Sequence, residues 1–151
     1  WCRGDSRRYQ LAVLFQMTAP GIPSVFYGDE TGLTGFEERE YRRPMRWEGQ
    51  NEALAAYYRK VICLRRRLSA LQTGAYRTLL VDQAKNVYGF IRENTTEQIY
   101  VLINNSEDQQ TVEFPVAGRK KLTDLLNGGE YVPDGSTVKF DLPPVSGAVL
   151  I

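Results

Sequence analysis

Asp29 and Glu30 stand side by side at the end of a short apolar run, Ser24-Val25-Phe26-Tyr27, joined to it by Gly28. A strand that ends in a glycine turn and acidic residues is how α/β barrels deliver polar groups to the rim of a site. Paired carboxylates are also the raw material of general acid–base chemistry. Neighbours on an extended strand point to opposite faces, however, so these two do not converge on one reacting atom. The reading that fits is structural hydrogen bonding at a rim, holding the segment that follows. The chain contains no histidine. Cys2 and Cys63 lack metal-ligand spacing, so no structural zinc, and no other cofactor, is expected. A disulfide between the two cysteines stays open, although a single pair would not make a disulfide scaffold.

The elements that must position these residues follow from periodicity and punctuation. Asp5-Ser6 caps a helix over about 6–18, marked by Leu11, Leu14, Phe15 and Met17, which ends at Ala19-Pro20-Gly21. The apolar run then predicts a short strand at 23–27. Residues 28–48, rich in glycine and charge, read as a long functional loop. From Asn51 a second helix carries the stripe Leu54, Tyr57, Tyr58, Val61, Ile62, Leu64 and Leu68 and ends near Leu71. Arg59, Lys60, Arg65 and Arg66 occupy its other face, so the Arg65-Arg66-Arg67 cluster reads as a solvated helix end that favours cations.

After Gly74 the period shortens from helical to alternating. Val87–Arg92 and Gln98–Asn104 form a hairpin around a polar turn, and further strands are predicted at 75–81, 110–115, 119–123, 137–141 and 147–151. Asn127-Gly128-Gly129 and Asp134-Gly135 supply turns. Tyr88, Phe90 and Tyr100 lie at strand spacing as core or cross-strand pairs. The expected fold is therefore mainly β: a C-terminal antiparallel β-sandwich over 74–151, preceded at 1–73 by the last helix–strand–helix unit of a truncated (β/α)8 barrel. A lone parallel-type strand has no neighbour in that first part to take its hydrogen bonds. That gap, with Trp1 in place of a start methionine, suggests the C-terminal portion of a longer protein.

Composition narrows the partners. Hydrophobic residues make up 42% and charged residues 25%, ordinary for a globular protein. Nineteen basic and 18 acidic residues give a net charge of +1, so no bulk attraction for nucleic acid or an anionic membrane is expected. No apolar run approaches the roughly 20 residues of a membrane span, and no signal peptide is visible, which makes a cytoplasmic location the expectation.

The stretch QMTAPGIPSVFYGDETGLTG resembles the last barrel strand of the α-amylase superfamily, glycoside hydrolase family 13. EREYRRPMRW, residues 38–47, is similar to the D-P-D-C-R-K-P-M-x-W signature of its neopullulanase, cyclomaltodextrinase and maltogenic amylase group. Arg42, Pro44, Met45 and Trp47 match that signature; Glu38, Arg39, Glu40 and Tyr41 stand where the group has Asp, Pro, Asp and Cys. Leu64-Arg65 and Leu71-x-x-Gly74 fit the final barrel helix and its junction with a C-terminal β-sandwich. The resemblance implies that Glu38 and Arg42 bind substrate by holding glucose hydroxyls on the non-reducing side of the cleavage point. It also implies that the catalytic nucleophile, acid/base and third aspartate come from earlier strands, so no residue of this chain is catalytic. Tyr27 then belongs to the barrel core or its edge, while Trp47 and Tyr41 either stack on sugar or pack the loop. The sandwich is expected to pack on the helix at 52–71. The function implied is the C-terminal part of a retaining α-glucan-acting glycoside hydrolase, with a maltooligosaccharide substrate in the full-length enzyme. The alternative is a non-catalytic carbohydrate-binding or interaction module, or a member of the superfamily turned scaffold. An exposed edge at Ser24–Tyr27 predicts a homodimer or local disorder.

Overall fold

The computed structural model describes every residue except Trp1, Arg3, Phe36, Arg46, Gly49, Ala117 and the side chain of Tyr41. Helix α1 runs Ser6–Thr18, with the Asp5 carboxylate accepting from the Arg7 amide at 2.8 Å as its N-cap. A single 3₁₀ turn, Asp29–Thr31, and a short helix α2, Glu38–Tyr41, punctuate the segment expected to be one long loop. Helix α3 spans Glu52–Arg67, and Asn51 Oδ1 caps it by accepting from the Leu54 amide at 3.0 Å. The second helix does not continue to Leu71: Leu68 takes an extended conformation and a separate helix α4 covers Ser69–Thr73.

Eight strands follow: β1 Ala75–Asp82, β2 Val87–Glu93, β3 Gln98–Asn104, β4 Gln110–Pro115, β5 Leu122–Thr123, β6 Glu130–Tyr131, β7 Thr137–Leu142 and β8 Ser146–Leu150. They pair antiparallel throughout, as a four-stranded sheet in the order β1-β2-β3-β8 and two-stranded sheets β4-β7 and β5-β6. The strand expected at 119–123 shrinks to β5, and β6, which no alternation signalled, is its partner. The two sheets β1-β2-β3-β8 and β4-β7 enclose Ile91, Tyr100, Leu102, Phe114, Phe140 and Leu150 as one core, which makes a sandwich.

The opposite face of the four-stranded sheet buries Phe90, Ile99, Val101 and Val149 against Leu14, Val61, Leu64 and Leu71 of the helices. Its central strand is thus covered on both sides. That is why Ile99-Tyr100-Val101-Leu102-Ile103 is apolar throughout rather than alternating. Tyr88 and Phe90 face the helices, while Tyr100 stacks inside the sandwich, 5.6 Å from Phe114 between ring centroids. Gly147 of β8 allows α1 this close, because a Cβ there would collide with the Leu14 side chain and crowd the Leu102 carbonyl.

The strand expected at 23–27 is absent: these residues join no ladder among the described residues, and Tyr27 already lies in a turn. A parallel strand needs a neighbour on at least one side, and the segment has none here. Arg65 is likewise no solvated cation. Its guanidinium turns back to donate to the carbonyls of Met17 at 2.7 Å, Ala19 at 3.1 Å and Gly21 at 2.5 Å, closing the C-terminus of α1. Cys2 and Cys63 are free thiols. Among the described residues no helix is long and apolar enough to cross a membrane.

The helix layer leaves a pH signature. Burial pushes the Tyr57 and Tyr58 hydroxyls well above the ordinary range, and the Tyr9 hydroxyl upward as well. Their folded pKa values exceed the unfolded ones, so the neutral rings contribute full stability below about pH 10 and lose it as pH rises further. Thermal melts should show the midpoint flat to about pH 9.5 and falling beyond it, with phenolate absorbance of these rings appearing only on unfolding. A midpoint that keeps rising through that window would contradict this assignment.

Candidate functional site

The polar residues singled out above lie between α1 and α3. Gln16 Nε2 donates to the Ser24 carbonyl at 2.6 Å, and with Arg65 on the Gly21 carbonyl it ties the segment 21–24 to the end of α1. Gly28 then turns the chain with φ 90°, and a Cβ there would sit 2.7 Å from Leu33 Cδ2. Only glycine satisfies both the left-handed backbone and the lack of space.

Asp29 and Glu30 fall in the 3₁₀ turn that follows and not on a strand. Asp29 Oδ2 accepts from the Phe26 amide at 3.3 Å and Glu30 Oε2 from the Gly28 amide at 3.0 Å. Each carboxylate thus has one oxygen bonded to an amide of its own turn. Partial burial raises the Asp29 pKa, opposed by the Phe26 amide and reinforced by Glu30. The turn rests on a tyrosine pair: the Tyr9 hydroxyl donates to the Asp29 carbonyl at 3.2 Å and lies 3.0 Å from that of Tyr58. The Asn51 amide donates to the Thr31 carbonyl at 3.3 Å, tying the turn to the start of α3.

Beyond the turn the chain folds back on itself. Arg43 Nη2 donates to the Thr34 carbonyl at 2.9 Å, and the Tyr27 hydroxyl to the Arg43 carbonyl at 3.3 Å. This closure presents α2 on the surface. Arg42 Nε lies 3.1 Å from Glu38 Oε1, one helical turn away, with both side chains about two-thirds exposed. The structure therefore brings the two expected substrate contacts together as one surface ion pair. A pair so exposed contributes little stability. What it offers is chemical: carboxylate and guanidinium held together present donors and acceptors to neighbouring hydroxyls. Tyr27 and Phe26 stack at 4.6 Å and stay half exposed, while Trp47 is 80% exposed and packs no loop core. The Tyr41 side chain lies outside the described residues. No cluster of metal-ligating side chains occurs among the described residues.

One structural side chain escaped the sequence reading. Arg92, on the helix-facing side of β2, is 1% exposed. Its Nη1 donates to the carbonyls of Thr18 at 2.6 Å and Leu71 at 3.0 Å, and its Nη2 to that of Gly74 at 2.9 Å. It thus binds the ends of α1 and α4 to the sheet. The available signal was parity: Arg92 shares a strand face with Tyr88 and Phe90, so a charge there points into the helix layer.

This helix layer docked on an antiparallel sandwich superposes on α-amylase-type glycosyl hydrolases of known structure. The α-amylase of Anoxybacillus superposes with a TM-score of 0.89 at 26% identity, over 96% of this chain and 32% of that one. The debranching enzyme of Nostoc punctiforme gives 0.86 at 30% identity, over 97% and 31%. Residues 76–149 match the maltogenic amylase C-terminal domain. Neopullulanase 2 of Thermoactinomyces vulgaris is 39% identical over 99% of this chain and 26% of its own length. A cyclomaltodextrinase of Geobacillus thermopakistaniensis is 34% identical over 95% and 25%. The chain belongs to the α-amylase superfamily, glycoside hydrolase family 13, in its neopullulanase–cyclomaltodextrinase–maltogenic amylase group. It spans about a quarter of the length of these curated relatives.

Proposed function

We propose that this chain is the C-terminal portion of a retaining glycosidase acting on α-1,4-linked glucans such as maltodextrins, cyclodextrins or pullulan. Residues 1–73 are the end of its catalytic (β/α)8 barrel and 74–151 its C-terminal sandwich. Hydrolysis proceeds by double displacement, with nucleophile and acid/base on earlier strands. In this reading the exposed Ile22, Val25 and Phe26 meet the preceding barrel strand, which supplies the missing ladder. Glu38 and Arg42 hold the hydroxyls of a bound glucose unit. The parent protein works in the cytoplasm, and the unpaired segment Ser24–Tyr27 leaves the isolated chain either dimeric or locally disordered there.

The observation that carries the reading is the surface pair Glu38–Arg42 at 3.1 Å, held on a loop closed by Tyr27 and Arg43. Neopullulanase and cyclomaltodextrinase relatives that align along nearly all of the chain support it. The test is Arg42→Ala in the full-length protein. Loss of charge-assisted hydrogen bonds to substrate should lower kcat/KM on a cyclodextrin about 10- to 100-fold, or roughly 1.4–2.7 kcal/mol. The 151-residue chain by itself should release no reducing sugar. An unchanged kcat/KM in R42A removes the sugar-binding role, and hydrolysis by the isolated chain removes the division of labour.

A further inference from the structure

The sandwich is open at one end. Between β1 and the end of β4 at Pro115 the two sheets leave a gap. A cavity of about 210 Å³ remains there, floored by Leu79, Ile91 and Val116 and rimmed by Arg77, Gln98 and Ser136. It opens on the face of the four-stranded sheet opposite α1 and α3, within the part matched to the maltogenic amylase C-terminal domain.

The polar rim is connected and oriented. The buried Tyr100 hydroxyl donates to Gln98 Oε1 at 2.6 Å, Gln98 Nε2 donates to Glu93 Oε2 at 2.7 Å, and Arg77 Nε reaches Glu93 Oε1 at 3.4 Å. Arg119 Nη2 donates to the Gln98 carbonyl at 3.3 Å from the other side. Hydrogen bonds from Gln98 and Arg77 hold the Glu93 carboxyl below its ordinary range, so it stays ionised and balances the Arg77 charge. Among the described residues the two Nη atoms of Arg77 and the Ser136 hydroxyl carry no hydrogen-bond partner. The pocket thus pairs an aliphatic floor with a few oriented planar polar groups, the combination that fixes a small ligand. The internal pairing of Arg77 with Glu93 disfavours an anion. A neutral ring with an apolar C–H face and a hydroxyl edge fits it. The C–H face lies on Leu79 and Ile91, and the hydroxyls meet the guanidinium fork and Ser136.

We infer that this cavity is a non-catalytic subsite for one glucose unit of an α-glucan. It anchors the polymer on the sandwich, away from the Glu38–Arg42 loop. The choice of glucan rests on the function proposed above; the pocket's suitability for a neutral sugar does not.

The experiment is a titration of the 151-residue chain with maltotriose, followed by amide nitrogen–proton correlation spectra, with xylotriose in parallel. Maltotriose should shift the amides of Arg77, Gln98, Gly118 and Ser136. Ser136→Trp, which fills the opening, and Arg77→Gln should each weaken that response about tenfold or more, as expected for a lost ligand hydrogen bond or a blocked site. Dispersed β-sheet amides show that each variant is folded, and R77Q, an exposed substitution, covers a failure of S136W. No shift at the pocket up to the solubility of the sugar overturns the subsite, as does a response confined to Glu38–Arg42. If the parent protein still hydrolyses α-glucan in that case, the subsite fails while the proposed activity stands. A pocket that takes xylotriose in preference to maltotriose overturns the glucan assignment.

Discussion

Arg92→Leu is expected to destabilise the chain by about 3–5 kcal/mol, the cost of leaving buried carbonyls without donors. For a domain of this size that lowers the melting temperature by roughly 10 °C. The guanidinium serves the Thr18, Leu71 and Gly74 carbonyls at 2.6, 3.0 and 2.9 Å. Leucine fills much of the same space but donates nothing. The ends of α1 and α4 also lose a cation placed where their dipoles are negative. Lysine keeps the charge as a point without the planar fork, so R92K should fall between wild type and R92L. Urea denaturation of the purified chain measures the difference. A wild-type midpoint in R92L would mean that water already reaches these carbonyls in the folded state.

Gly74→Val should cost about 3 kcal/mol, the upper end for overpacking. Gly74 has φ −66°, so its backbone is open to any residue and the penalty is one of space. A Cβ there would lie 2.5 Å from the Ala70 carbonyl oxygen and 2.8 Å from that of Glu93. Both are main-chain atoms, one on α4 and one on β2, and neither can rotate away. The Gly74 carbonyl also accepts from Arg92, so the two substitutions act on one joint. Their combined effect should fall short of the sum, which a double-mutant cycle measures directly. A neutral G74V would show that α4 shifts freely against the sheet.

Much of the architecture could be read from local pattern. Asp5 and Asn51 both accept main-chain amides as caps, because short polar side chains before an apolar-periodic run have few other uses. The hairpin expected from Val87 to Asn104 forms, with β2 and β3 paired antiparallel from Val87–Asn104 to Glu93–Gln98. The break at Leu68 was not legible, since Arg66-Arg67-Leu68-Ser69 contains no stop residue. It is set from a distance: Glu97 Oε2 accepts from the Ala70 amide at 3.0 Å, and Asn94 Nδ2 donates to Ser69 Oγ at 2.8 Å. The β2–β3 turn therefore starts α4. The apolar run at 23–27 had strand composition but no ladder, because pairing belongs to neighbours and not to the run itself.

The candidate site divides the same way. Residue types and a signature-like spacing picked out Glu38 and Arg42, and one helical turn was enough to pair them. The sequence by itself determined the strands of the two larger sheets but not the short pair β5-β6, together with the two long helices and the chemical character of the loop. All of these depend on short-range periodicity and on residue type. Only the tertiary structure decided which charges are buried, where the second helix breaks and that Asp29 and Glu30 serve their own turn. It also decided that Arg65 and Arg92 serve the ends of α1 and α4, and that the sandwich opens beside Arg77. Those outcomes depend on which main-chain groups are left without partners after packing, a quantity that exists only once distant segments meet.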